Sequence, residues 1–437
     1  MTALLRPAPA HDREPPAAVP RLIDGTELIG QLEGSGLRRA PYLARRCDGQ
    51  IVQLSRLLYV IAGCLDGSDL RTAARRAGDA LGLRVAPEKI VYAIERKLAP
   101  LGLVSEDGSR PSGLEPRDVL LGMRLRAGLL PGSLVRRCAR RLAALYRPPV
   151  LAVALALLVG LDGWLVVHGV GSGVREIIRE PALILGVLGL TLISLLWHEI
   201  GHAAACSYGG ARPGRIGVGI YLIWPALYTD VNDSYRLGRK GRLRTDLGGI
   251  YFNGLFSLVA MGVFLATHYA PLLVLIAGQQ IIMLDQFTPW MRLDGYYVVS
   301  DLIGVCDLFE RIGPVLGSLC PGRPAHPKVT ELKPWARAVV MVWVLTTVAA
   351  LAGLLAVLIV KAPAYATSGW ASIALQAREV GHAVGHGQVA GALVAALETM
   401  LLLLPMVAIL YGYVALCRGA GARLARHRDQ VTLAGSA

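Results

Sequence analysis

Charge is scarce in this chain. Of its 437 residues only 17% are Asp, Glu, Lys or Arg, while 54% are hydrophobic. That balance argues against an ordinary soluble globule and for membrane spans. Cysteine offers little framework either. Cys47, Cys64, Cys138, Cys206, Cys306, Cys320 and Cys417 are odd in number and contain no CxxC pair, so neither a disulfide scaffold nor a thiolate zinc site is expected. Residues 1–20 are rich in Pro and Ala and carry His11, Asp12, Arg13 and Glu14. They lack the apolar core of a signal peptide and read as a disordered tail. A Gly-rich phosphate loop is missing, which argues against ATP-driven transport. So is any internal repeat of the kind that transporters use.

What the chain does have is positive charge beside long apolar runs. The formal net charge is +14. No basic face with interleaved aromatics occurs, so nucleic acid is not an expected partner. Six apolar runs, near 149–170, 182–206, 246–269, 271–290, 337–361 and 392–416, are long enough or nearly so to cross a lipid bilayer. Basic clusters lie at Arg136, Arg137, Arg140, Arg141 and Arg147; at Arg236, Arg239, Lys240, Arg242 and Arg244; at Lys328, Lys333 and Arg337; and at Arg418, Arg423 and Arg426. With six spans all four clusters fall on one side. The positive-inside bias then predicts a multi-pass protein of the plasma membrane with both termini in the cytoplasm. Between the third and fourth runs only Tyr269-Ala270-Pro271 marks a break.

The expected fold is therefore an α-helical multi-pass membrane protein of about six spans with a small N-terminal cytoplasmic α+β domain, winged-helix-like in its pattern. The organisation reads as a tail over 1–20, a domain over 21–104, a linker and basic juxtamembrane segment over 105–148, a membrane domain over 149–417 and a tail over 418–437. Within the small domain Ile51, Leu54, Leu57, Leu58 and Ile61 have helical spacing, ending at Asp66-Gly67. Ser68 is placed to cap a second helix, and Pro87 to begin a third. A strand-like Leu101-Gly102-Leu103-Val104 closes the domain.

The second run ends in His198-Glu199-Ile200-Gly201-His202, an HExxH motif. Residues four apart share a helix face, so two imidazoles can reach one metal ion, with Glu199 beside them to take a proton from water. Ionisable side chains within an apolar span are costly unless paired or bound to metal. A hydrolytic zinc site needs a third protein ligand. Asp294 follows the fourth run at a matching depth, and Pro289 and Gly295 allow the chain to turn it back. Asp285, deeper in the same run, competes for the role. Asp301 and Asp307 read as solvated loop carboxylates.

HExxH in one span followed by Asp294-Gly295-Tyr296-Tyr297 after a later one resembles the site-2 protease family of intramembrane zinc metalloproteases. The likeness covers roughly 185–308. Tyr228-Thr229-Asp230-Val231 and Gly249-Ile250-Tyr251-Phe252-Asn253 are similar to a bacterial branch of peptide zinc metalloproteases. The resemblance implies Zn²⁺ as cofactor, His198, His202 and Asp294 as its ligands, Glu199 as catalytic base and Asn253 as a residue holding the peptide or its oxyanion. A helix-packing amide is the other reading of Asn253. Thr288 stands where the branch has Asn, and Gln286 where an amide of another length is common. The Leu65-Asp66-Gly67 turn and the closing 98–104 stretch resemble the PqqD-like domain, which captures leader peptides of ribosomally made, modified peptides. The implied activity is zinc metallopeptidase cleavage of a peptide or membrane-protein substrate near the cytoplasmic side, in maturation or export of such a peptide. The competing reading is a non-proteolytic membrane module for peptide binding, export or immunity.

Two further expectations concern backbone. The stretch from Arg215 to Tyr228 alternates weakly, as an edge strand able to pair with an extended substrate does. His382 and His386 are four apart but flanked by Gly381 and Gly385, a poor helix with no Glu beside the first His. They read as part of an outer loop rather than a second metal site.

Overall fold

The computed structural model describes residues 20–105, 123–221, 224–320, 322 and 324–385, and beyond them only positions 391, 393–396, 399–400 and 403. The chain divides into two compact units, 1–118 and 119–437.

In the first unit, β1 (Arg21–Leu22) leads to an antiparallel meander of β2 (Glu27–Gln31), β3 (Tyr42–Arg45) and β4 (Ile51–Leu54). Three helices follow: α1 (Arg56–Gly63), α2 (Leu70–Leu81) and α3 (Pro87–Ala93), the last extended by a π-helical turn over Ile94–Leu98. β5 (Val104–Ser105) then returns to pair with β1. Ile51 and Leu54 are thus strand and not helix. The helix starts only where Ser55 accepts the Leu58 N–H, because a capping side chain satisfies an amide that the first turn leaves free. The cap of α2 is Asp69, which accepts from Arg71 and Thr72, and not Ser68, whose own N–H goes to Asp66. Pro87 begins α3 as the sequence predicts. Gly67 adopts a left-handed φ of +92°. Ala73, Ala74 and Ala77 bring α2 close to Ile61, Ile90 and Leu98 in one buried core with Leu54 of the sheet.

The second unit is mostly helical and opens with β6 (Arg124–Leu130) and α4 (Gly132–Leu142), in the stretch expected to be linker and juxtamembrane segment. α5 (Pro148–His168), α6 (Gly171–Arg179) and α7 (Leu183–Tyr208) follow, then a hairpin of β7 (Ile216–Tyr221) and β8 (Trp224–Thr229). Next come α8 (Arg239–Asp246), α9 (Gly248–Thr267), α10 (Pro271–Gln286) and α11 (Asp294–Ile303). α12 (Ile312–Ser318), α13 (Pro327–Thr330) and α14 (Pro334–Gly385) complete the unit. Among the described residues, four stretches are long and apolar enough to cross a membrane: α5, α7, α9 and Pro334–Lys361 of α14. With 16 residues, α10 spans about 24 Å at the α-helical rise, less than the roughly 30 Å hydrocarbon core. The sixth expected run, 392–416, lies outside the described residues but for scattered positions. The fourth begins where expected: His268 ends α9 in a left-handed conformation and Pro271 starts α10.

The outer loop expected after 361 is helix as far as Gly385. A glycine costs a helix only about 1 kcal/mol, and the run from Ala362 carries Ala at 364, 366, 371, 374 and 377 to sustain it. His386 lies outside the described residues. The weakly alternating stretch is two strands, not one. Sheet order is β6-β7-β8, so β8 is an edge strand among the described residues.

What positions the site is the crossing of α7 over α9. A β-carbon on Gly248 would lie 2.8 Å from the Gly201 carbonyl oxygen and 3.0 Å from the His202 Cα. Two glycines therefore let the backbones touch, as small residues do between membrane helices. The buried Tyr146 hydroxyl sits 3.0 Å from the Gly201 carbonyl and 3.2 Å from that of Gly248, donating to the crossing point itself. Deeper in the bundle Gln279 of α10 donates to Ser194 of α7 at 2.8 Å.

Candidate metal centre

The helical spacing that sets His198 and His202 on one face brings their Nε2 atoms to 3.1 Å of each other. Asp294, the first residue of α11, lies with Oδ2 3.3 Å from His198 Nε2 and Oδ1 3.4 Å from His202 Nε2. The turn over 287–293 carries the chain back from α10, and Trp343 of α14 holds it by donating to the Pro289 carbonyl at 2.8 Å. The two histidines are under a tenth exposed. Among the described residues these three form a group able to hold a metal ion. Asp285, the competing carboxylate, is exposed on α10 and outside the group.

Tautomer chemistry points the same way. His202 Nδ1 is 2.8 Å from the Thr245 carbonyl. A carbonyl only accepts, so Nδ1 carries a proton, and the neutral form of the ring then offers its Nε2 lone pair toward His198 and Asp294. A lone pair and a carboxylate converging on one point in a dry site call for a cation. Space is kept for it by Gly249 of α9, where any β-carbon would overlap the His198 ring and come within 2.5 Å of His202 Nε2.

Glu199 is buried. The Thr229 hydroxyl, at the end of β8, donates to Glu199 Oε2 at 2.6 Å and lies 2.9 Å from the backbone carbonyl of the same residue. The base candidate is thereby tied to the edge strand. Asn253, one turn after Gly249 on α9, is 1% exposed, and neither its oxygen nor its nitrogen has a hydrogen-bond partner among the described residues. An unpaired buried amide costs about 1–3 kcal/mol.

No protein-family model, curated protein or solved structure matches the chain. The chemistry of the centre therefore rests on its own residues.

Beneath the centre lies a second set of charges that sequence reading missed. Arg242 is fully buried and donates from Nε to Asp301 Oδ1 at 2.9 Å and from Nη1 to the Leu237 carbonyl at 3.0 Å. Asp307 accepts from Arg292 at 2.8 Å. Asp301 lies in α11 and not in a loop, whereas Asp307 is a loop residue as expected, part-buried and ion-paired. A buried guanidinium demands a partner, and in sequence Arg242 is indistinguishable from its neighbours in the basic cluster. Asp246 hydrogen-bonds Asp301; burial, and then the charge of Asp301, push its carboxyl well above the ordinary range. Of the other described histidines, His168 is stacked on Trp164 and bonded to its carbonyl, and His268 is a helix cap.

Proposed function

We propose that this chain is an intramembrane zinc metallopeptidase that cuts a peptide or membrane-protein substrate near the cytoplasmic side of the bilayer. The reading rests above all on the triangle of His198, His202 and Asp294, with edges of 3.1, 3.3 and 3.4 Å. Around a tetrahedral zinc ion with bonds of about 2.0–2.1 Å, neighbouring donors stand about 3.3 Å apart. Three protein donors of this kind leave one position open, the pattern of hydrolytic rather than structural zinc. Zinc bound there supplies Lewis acidity toward water and a peptide carbonyl. Glu199, held by Thr229, takes a proton from the attacking water at its carboxylate and passes it to the leaving amine. Asn253 offers its unpaired amide to the carbonyl oxygen as charge grows there.

The edge strand β8 supports the same reading. Hydrolysis needs an extended substrate backbone, and a free edge can pair with one. β8 ends at the residue that orients Glu199, so a segment added to β8 is led toward the centre. The first unit, with three helices on a small antiparallel sheet, is proposed to act as a PqqD-like winged-helix peptide-binding domain that delivers the substrate. The basic clusters support a cytoplasmic position for both termini.

Purified protein in lipid nanodiscs, incubated with peptides encoded beside its gene, tests the activity. Zinc-dependent cleavage that ceases on Glu199→Gln is expected. Peptides bound tightly but never cut by wild-type protein would overturn it in favour of a binding or export module.

A further inference from the structure

Asp294 differs from the two histidines in how it is held. His198 and His202 sit in a 26-residue helix, fixed by the membrane bundle. Asp294 begins a 10-residue helix that is not itself a span and is reached through a turn. That helix, α11, packs chiefly on α8, and α8 in turn packs on α7. α8 therefore stands between the third ligand and the first two. It touches both sides through named contacts, and Asp246 of α8 also bonds Asp301 of α11. Toward α7 the Thr245 carbonyl accepts from His202 Nδ1 at 2.8 Å. Toward α11 Arg242, three residues earlier on α8, donates to Asp301 at 2.9 Å. Asp301 follows Asp294 by two helical turns, so the two carboxylates share a face of α11.

We propose that the buried Arg242–Asp301 pair is a positioning clamp: it sets α11 against α8 so that Asp294 meets the imidazoles, and thereby sets the affinity and geometry of the centre for its metal. The reasoning is electrostatic. Arg242 has no exposed side-chain surface, while Asp301 keeps 13%. Removing the Asp301 charge takes a carboxylate away from a buried guanidinium, a state relieved by letting water in between α8 and α11. Any such opening draws Asp294 away from His198 and His202. Groups one step removed from a metal tune its binding in this way, typically by 10- to 100-fold. The clamp rests on the metal-centre reading but not on the proposed peptidase activity.

The test reads metal binding, not cleavage. Full-length protein in detergent is stripped of metal and titrated with Co²⁺, whose visible absorption reports coordination geometry. Asp301→Asn and Arg242→Gln are expected to raise the Co²⁺ dissociation constant by about 10- to 100-fold and to change the spectrum. Arg242→Lys keeps the charge but loses the guanidinium fork, and is expected to recover only part of the affinity, with a spectrum between those of the parent and Arg242→Gln. Arg311→Gln is the control. It breaks another ion pair of a buried arginine, 3.0 Å to the half-exposed Glu331 beside α12 and α13, and should leave affinity within about twofold of the parent, far below the change expected at the clamp. Parent-like affinity and spectrum in Asp301→Asn overturn the clamp, as does an equal loss in Arg311→Gln. Should Asp301→Asn and Arg242→Gln fail to fold, Arg242→Lys decides: unchanged affinity and spectrum overturn the proposal. A parent that binds no Co²⁺ at all overturns the metal centre and the clamp together. A parent that binds Co²⁺ while Asp301→Asn does so equally well overturns the clamp alone.

Discussion

Gly249 faces His198 and His202 so closely that no β-carbon fits between them; one placed there would sit 2.5 Å from His202 Nε2 and nearer still to the His198 ring. Both sides of this contact are fixed, since α7 and α9 already touch at Gly201 and Gly248. Gly249→Ala is therefore expected to push the imidazoles apart and to lose most bound zinc, because a packed core cannot yield the missing space. Gly262, on the same helix, has nothing within 4 Å of its missing β-carbon, and Gly262→Ala should keep full zinc. Metal content per chain, measured by mass spectrometry on purified protein, checks both.

The part of this arrangement legible in the sequence is the part that obeys helical period. His198, Glu199 and His202 follow from spacing and from the cost of burying ionisable groups, whereas spacing leaves both Asp285 and Asp294 open as the third ligand. Contacts that depend on how helices meet were not legible. Thr229 reaches Glu199 across 30 residues, Thr245 reaches His202 across 43, and Arg242 reaches Asp301 across 59. Nothing local marks them. The small domain was misread where β4 passes into α1, because the apolar residues of the strand happen to extend the period of the helix. Ser55 was the available signal for the true boundary. In the stretch before Gly385, alanine content outweighed the two glycines that suggested a loop.

Separating ligand from base is the direct check on the centre. Asp294→Ala removes one of three protein donors and should lose both zinc and cleavage. Glu199→Gln keeps size and hydrogen-bonding shape but cannot take the proton, so zinc should stay and turnover should fall by at least about 100-fold. Asp285→Ala should change neither, as that carboxylate is exposed and apart from the group. Zinc loss in Asp285→Ala with retention in Asp294→Ala would reverse the ligand assignment.

The link between β8 and the base makes a separate prediction. The Thr229 hydroxyl holds Glu199 Oε2 at 2.6 Å, and hydrogen bonds to a charged group are worth about 1.5–3 kcal/mol. Thr229→Val keeps the shape of the strand and removes the donor. It should lower kcat by roughly 10- to 100-fold, the equivalent of that energy, with zinc retained. Thr229→Ser restores the donor and should restore most of the rate. Equal activity in the Val and Ser variants would show that the bond is idle.

In the first unit, Asp66 accepts from the Ser68 N–H at 3.0 Å and from Arg76 at 2.5 Å. Hydrogen bonds from Ser68, then from Arg76, lower its pKa from 3.8 to about 2. The folded form thus prefers the ionised carboxylate more than the unfolded chain does. Its contribution is complete above pH 4 and declines as pH falls through 2. In a fragment covering residues 20–105, melting temperature should fall more steeply below pH 4 for the parent than for Asp66→Asn. Parallel curves would mean that the turn gains nothing from the charge. A fragment that does not fold would show that the domain depends on the rest of the chain.

Asn253 separates a working amide from a packing amide by the sign of a stability change. A side chain kept for packing and bonded to its neighbours destabilises the protein when truncated. Asn253 is 1% exposed with both polar atoms unpaired among the described residues. Its removal relieves an unmet desolvation cost of about 1–3 kcal/mol, set against the loss of a few buried contacts. Asn253→Ala is thus expected to leave the melting temperature unchanged or slightly raised. If the amide meets the carbonyl oxygen of a bound peptide, kcat should fall by about 100-fold or more, the size of a lost oxyanion donor, with little change in KM. That combination, stability kept and turnover lost, is the mark of a residue retained for chemistry at the expense of the fold. A clear drop in melting temperature with activity proportionate to the folded fraction would assign Asn253 to packing, and the carbonyl oxygen would then need another donor.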